Sequence, residues 1–170
     1  MSKYTIVHSA SELHAGDHIS WPTRMASGMF SHHAIVVAPK GGSEVKVIHV
    51  CSTGRRSEPA SSGSCSLCGS GSPDSYVVKE EIIDLGQLMN DGQLRRYDHE
   101  PKDCNEPAEV IKNARSNIGK FDYDVWTNNC EHFARWCKTG NRESHQADSA
   151  TQVALASASA SASGVAFLST

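Results

Sequence analysis

Residues 128–140 read NNCEHFARWCKTG, a helical pattern with a cysteine in its first turn. Asn128 or Asn129 is a suitable helix cap, and Gly140 ends the helix. At this position the Cys130 thiol faces unpaired backbone N–H groups and the positive end of the helix dipole, which stabilise the thiolate. The segment therefore predicts a nucleophilic cysteine at a helix N-terminus.

Such a cysteine needs a base, since a free thiol with a pKa near about 8.5 is only a few per cent ionised at pH 7. Histidine is the natural choice, and His32 and His49 each lie in a β-branched run, SHHAIVVA (31–38) and EVKVIHV (44–50). A turn at residues 39–42 (PKGG) predicts that these runs pair as a hairpin, so both histidines can face one side. Single cysteines and strand histidines are more often structural, so position alone leaves catalysis open.

The remaining secondary structure completes an α+β prediction. A helix is expected from Pro107 to Ile118, because proline suits a first turn and Gly119 follows the last apolar residue. Together with the hairpin, the strand signals predict an antiparallel sheet of about four to six strands. The further strands are expected at Tyr4–Val7, within Leu13–Trp21, at Tyr76–Asp84 and at Arg95–Tyr97.

Two segments differ in composition from the rest. Residues 51–75 are rich in Ser, Gly, Pro and Arg, which predicts a long flexible surface loop. Cys65 and Cys68 have the spacing of half a zinc site, but no second Cys/His pair lies at finger spacing, so they are interpreted as loop cysteines. Residues 147–170 are dominated by Ala and Ser, which predicts a flexible or weakly membrane-seeking tail. One folded domain over residues 1–146 is therefore expected.

The overall charge and the N-terminal segment limit the function classes. With 16 basic and 19 acidic residues the net charge is −3, and the absence of a basic stripe argues against a nucleic-acid partner. The start MSKYTIVHSASELHAG lacks the apolar core of a secretory signal, so a cytoplasmic location is expected, with membrane association left open. Six cysteines in a reducing compartment favour free thiols, metal or catalysis over disulfides.

Several motifs resemble the lecithin:retinol acyltransferase-like family, also called the H-box/NC proteins. Asn129-Cys130-Glu131-His132-Phe133 matches the family's Asn-Cys-Glu-His-Phe signature. Upstream, FSHHAIVV (30–37) resembles its first histidine box and VIHV (47–50) its second histidine strand. The Gly-Asp-hydrophobic opening is represented by GDHI (16–19). The resemblance covers roughly Leu13 to Gly140, in the order His, His, Cys.

This resemblance implies a circularly permuted papain-like fold of the NlpC/P60 type, with an antiparallel sheet packed against helices. It implies Cys130 as nucleophile at a helix N-terminus, His32 as general base and His49 as the residue that orients His32. His33 is the neighbour most easily confused with the base. The residue His132, two positions beyond Cys130, is expected to be structural.

The activity implied is that of a thiol-dependent acyltransferase or phospholipase A. An acyl chain would pass from a glycerophospholipid to a Cys130 thioester and then to an amine, alcohol or water. No cofactor and no metal ion are implied, and a peripheral membrane contact is expected. Two alternatives stay open: a thiol hydrolase, amidase or peptidase of the permuted papain-like group, and a non-catalytic H-box/NC regulatory module.

Overall fold

The computed structural model describes residues 3–25, 28–53, 75–124 and 127–141. Within these ranges, seven strands form one antiparallel sheet in the order β1-β6-β2-β3-β4-β5-β7. The strands are β1 Lys3–Ile6, β2 His18–Met25, β3 Gly28–Gly41, β4 Glu44–Ser52, β5 Tyr76–Asp84, β6 Arg95–Asp98 and β7 Gly119–Phe121. The same ranges contain the α-helices α1 Gly86–Asn90, α2 Pro107–Arg115 and α3 Cys130–Thr139, and 3₁₀ turns at Ala10–Glu12 and Pro101–Asp103.

The antiparallel α+β architecture agrees with the prediction, but the expected count of four to six strands is wrong. Strand β7 is the missed one: three residues at the sheet edge, where Phe121 pairs with Tyr76 of β5. Three residues are too short for an alternation pattern to stand out. Helix α2 also ends earlier than predicted, at Arg115. The side chains of Ser116 and Asn117 both donate to the Asn113 carbonyl, a local bond that competes with continuing the helix.

Side-chain alternation on the central strands divides the core into two layers. One face of the sheet carries Trp21, Ala34 and Val47, which pack with Leu85 and Leu94. The other face is covered by helices α2 and α3. There the buried strand residues Ile35, Ile48, Val50 and Val78 pack with the helix residues Val110, Ala114, Phe133, Ala134 and Cys137. Cys137 is thus a packing residue of helix α3.

The two ends of the long segment between β4 and β5 lie next to each other. The Thr53 amide donates to the Ser75 carbonyl at 2.9 Å, and the two hydroxyl oxygens are 2.6 Å apart. Residues 54–74, with Cys65 and Cys68, lie outside the described residues, and so does the tail 142–170. The flexibility of residues 54–74, the tail and the domain boundary at residue 146 therefore stay predictions. The predicted start of the loop at Cys51 is wrong, because Cys51 and Ser52 continue strand β4 by pairing with β5, and Cys51 is buried. Every helix in the described ranges is too short or too polar to cross a bilayer.

Candidate active site

The cap of helix α3 places Cys130 in the first turn. Asn129 has an extended backbone, and its Oδ1 accepts from the amides of Glu131 at 2.9 Å and His132 at 3.0 Å. In return, Nδ1 of His132 accepts from the Asn129 amide at 3.2 Å. This reciprocal capping box fixes the first turn, and it gives His132 the structural role that its position predicted.

The Cys130 thiol lies beside the strand that carries His32. Its Sγ is 3.7 Å from the carbonyl oxygen of Ser31, to which it donates. That carbonyl belongs to the peptide bond between Ser31 and His32, so covalent geometry puts the sulfur within about 6.5 Å of the His32 Cα. The ladder between β3 and β4 reaches only as far as the Ala34–His49 pair, so Ser31 lies beyond it. The thiol is therefore placed where these two strands part.

The two histidines predicted from the sequence are in direct contact. Nε2 of His32 is 2.8 Å from Nδ1 of His49, and the two imidazoles meet edge to face. Both rings are buried, with exposures of 3% and 0%. The structure therefore brings His32 and His49 together, and places Cys130 against the backbone of His32.

A carboxylate extends the hydrogen-bonded pair His32 and His49 to a series of three side chains. Oε1 of Glu81 on β5 is 2.7 Å from Nε2 of His49, and its other oxygen, Oε2, is 2.7 Å from Nζ of Lys79. The hydrogen bond from His49, helped by Lys79, holds the pKa of Glu81 at about 2, although partial burial acts the other way. Glu81 is thus ionised at neutral pH and can only accept hydrogen bonds.

This carboxylate sets the tautomers of both histidines. Because Glu81 only accepts, Nε2 of His49 must carry the proton, and in the neutral His49 ring Nδ1 is then an acceptor. His32 must accordingly donate through Nε2, which leaves its Nδ1 unprotonated in the neutral ring. Burial, followed by the neighbouring His49 and His33, keeps the pKa of His32 well below the usual 6.5. His32 is therefore a neutral imidazole with its lone pair on Nδ1.

His33 belongs to a different group of side chains. Since neighbouring residues of β3 point to opposite faces, His33 shares the helix-covered face while His32 lies beside Trp21. Nδ1 of His33 is 2.8 Å from Nε2 of His18, whose Nδ1 is 3.0 Å from Nε2 of His99. Burial lowers the pKa of His33 to about 4. His33 is thus held as a neutral member of a separate histidine series.

Glu81 is the functional candidate that the sequence did not reveal. It stands in the run YVVKEEIID (76–84) as one of three acidic residues, and nothing in the sequence separates it from Glu80. The distinction comes from the β4–β5 register, in which His49 pairs with Lys79 and has Glu81 as its diagonal neighbour on the same face. The neighbouring Glu80 faces away and binds Lys46 and Arg115 instead.

Comparison with known proteins gives one family. The family model described as lecithin retinol acyltransferase matches residues 11–143, which is more than half of the chain. No curated protein and no solved structure matches this chain. The matched range contains all the side chains of the site, from His32 to Cys130.

Proposed function

The chain belongs to the lecithin retinol acyltransferase family, and from this membership we propose that it takes an acyl chain from a glycerophospholipid onto Cys130. An acyltransferase type of enzyme follows from the family in general. The finer proposal is supported by one observation above all: the hydrogen-bonded series Glu81, His49, His32 leads to the strand against which the Cys130 thiol lies.

The first step is formation of the thiolate. Helix α3 covers the face of the sheet opposite to the His32 ring. In the proposed step the proton of the Cys130 thiol therefore reaches Nδ1 of His32 through a bridging water at the end of the β3–β4 ladder, and the imidazolium that forms is stabilised through His49 by the charge of Glu81. The positive end of helix α3 stabilises the negative sulfur at the same time. The proton stays within the site, on the atom from which it can next be donated.

Acyl transfer then proceeds in two halves. The sulfur attacks the ester carbonyl, and the negative oxygen of the tetrahedral intermediate is bound by a backbone amide at the start of α3, with that of Cys130 as candidate. His32 returns its proton to the leaving oxygen, and a lysophospholipid departs. An amine, alcohol or water attacks the thioester in the second half, with His32 again as the base, and the C–S bond breaks to release the Cys130 thiolate.

The fold proposed for this chemistry is a circularly permuted papain-like one. Papain-like enzymes place the cysteine before the histidine in the chain, whereas here His32 and His49 precede Cys130. The donor must be drawn from a membrane, so we also propose a peripheral membrane contact, with no nucleic-acid partner.

The test is to trap the intermediate. Purified protein is incubated with phosphatidylcholine carrying a labelled acyl chain, digested, and the Cys130 peptide is analysed by mass spectrometry. The expected result is one acyl mass on Cys130, labile to hydroxylamine and absent from Cys130→Ser, while Cys137→Ser keeps it. Cleavage of an amide or peptide donor in place of the phospholipid indicates the thiol hydrolase alternative. No adduct with any ester or amide donor would leave the non-catalytic module as the better description.

A further inference from the structure

Cys51 adds a third ligand-type side chain to the pair His49 and Glu81. It lies two residues after His49 on β4, on the same face of the sheet. Its Sγ is 3.5 Å from Nε2 of His49, the same atom that donates to Glu81. The three ligand atoms, from His49, Cys51 and Glu81, all lie within 4.8 Å of one another. Cys51 has no part in the acyl transfer described above.

From this cluster we infer that His49, Cys51 and Glu81 form a binding site for a divalent zinc-type cation, and that the cation switches the enzyme off. The inhibitory part rests on the proposed function, whereas the binding itself does not. Thiolate, imidazole and carboxylate together are a ligand set suited to zinc, which takes sulfur, nitrogen and oxygen ligands in tetrahedral geometry.

The geometry fits with an adjustment of Glu81, whose ligand oxygen lies within 4.8 Å of the Cys51 sulfur. Zinc bonds of about 2.0–2.1 Å to nitrogen and about 2.3 Å to sulfur put tetrahedral N and S ligands about 3.5 Å apart. The separation between the His49 and Cys51 atoms is 3.5 Å. Tetrahedral N and O ligands lie about 3.4 Å apart, so Glu81, now 2.7 Å from His49, must withdraw by less than an ångström. The Glu81 side chain is 28% exposed, which lets it move and opens the cluster to solvent.

The charges also balance. A divalent cation is neutralised by the Cys51 thiolate and the Glu81 carboxylate, while Lys79 stays on Oε2 of Glu81. The thiol of Cys51 releases one proton to solvent on binding. Three protein ligands leave the fourth tetrahedral position to water.

The cation changes the direction of the hydrogen bonds. Zinc occupies Nε2 of His49, so the proton of that ring moves to Nδ1 and is donated to Nε2 of His32. The proton of His32 must then sit on its Nδ1, where the thiol proton would otherwise be received. The base is thereby blocked without any ligand on Cys130.

Binding is tested with zinc chloride and with cobalt(II) as a spectroscopic probe. The background is Cys130→Ser with Cys65→Ser and Cys68→Ser, which removes the proposed nucleophile and the cysteine pair in residues 54–74. We expect one metal per chain and a thiolate-to-cobalt charge-transfer band. Adding Cys51→Ser should abolish both, whereas adding Cys104→Ser should leave them. An unchanged band after Cys51→Ser, or binding lost in the background protein, would overturn the site.

Inhibition is tested separately in the otherwise intact chain. Zinc should lower acyl transfer at least about tenfold, a chelator should restore it, and Cys51→Ser should be insensitive to zinc while keeping the metal-free rate. If Cys51→Ser is as sensitive as the parent, the regulatory inference is wrong even where binding holds. If the protein transfers no acyl group without metal, the proposed function fails while the cobalt result still stands on its own.

Discussion

Nε2 of His32 and Nδ1 of His49 are 2.8 Å apart inside the sheet, and with a neutral His49 beside an ionised Glu81 the proton between them is donated by His32. The direction of this hydrogen bond therefore leaves Nδ1 of His32 without a proton.

The first prediction separates the two adjacent histidines. Cys130→Ser and His32→Ala should each reduce phospholipid cleavage by at least about 10³-fold, because nucleophile and base act as a unit. His49→Ala should cost less, since it orients the base without replacing it. His33→Ala should keep the chemistry but leave His18 without a buried partner, at about 1–3 kcal/mol of stability.

These variants are compared by rate per folded molecule, with unfolding followed by circular dichroism. An inactive but stable His33→Ala together with an active His32→Ala would reverse the assignment of the base. A Cys130→Ser protein at the parent rate would remove the enzyme proposal itself.

Glu81→Gln tests the positioning role of the carboxylate. The amide can present its NH₂ to His49, which favours the opposite tautomer in both rings, so kcat should fall by about 10²-fold or more with little change in KM. Alkylation of Cys130 by iodoacetamide should slow in parallel, and Glu81→Asp should recover part of both. Lys79→Met is the matched control, because its ammonium group binds the other oxygen of the same carboxylate, Oε2. Equal losses in both variants would mean that Glu81 acts only through general stability.

Asn129→Ala should destabilise the fold by about 1 kcal/mol through loss of the helix cap. The cost arises because two amides in the first turn of α3 lose their acceptor. Thermal unfolding measures the loss, and Asn129→Asp should restore it because aspartate is an equally good cap. An unchanged melting temperature for the alanine variant would show that the capping box contributes nothing.

The pH dependence of stability should contain a contribution from Glu80. The bonds from Arg115 and Lys46 lower the pKa of Glu80 to about 2, against about 4.3 in an unfolded chain. A depressed pKa stabilises the fold above the unfolded value, and this stabilisation is lost as the pH falls from about 4.3 to about 2. Glu80→Gln should therefore be less stable at pH 7. Its free energy of unfolding, measured by urea titration, should fall less steeply than that of the parent as the pH is lowered. Glu109→Gln, in an exposed helix pair, is the control.

Replacing residues 54–74 by a short Asn-Gly turn should leave folding intact. The two ends of the segment are already joined through Thr53 and Ser75, so β4 and β5 can close as an ordinary hairpin. Circular dichroism and thermal unfolding of the shortened chain provide the measurement. A large fall in melting temperature would show that the removed residues pack against the domain or bind metal.

The sequence predicts the candidate catalytic residues of this site but not the geometry that couples them. Cys130 and the helix it begins could be predicted because capping and termination are local signals, carried by Asn129 and Gly140. The pairing of His32 with His49 could be anticipated from a hairpin turn and strand alternation. Glu81 could not, because its distinction from Glu80 depends on a register between two strands joined through more than twenty residues. Strand β7 was not predicted for a related reason, since its three residues become a strand only by pairing with β5.

The site joins parts of the chain that are made at very different times. The β3–β4 hairpin forms from neighbouring residues, whereas Cys130 contacts Ser31 across a separation of 99 positions, and β1 meets β6 only after about ninety residues of intervening chain. Contacts of such long range close late and slowly. On a ribosome, the histidines would be paired well before the cysteine emerges, so the thiol would enter an environment already built to receive it. The proposed nucleophile is thus the last part of the site to be synthesised.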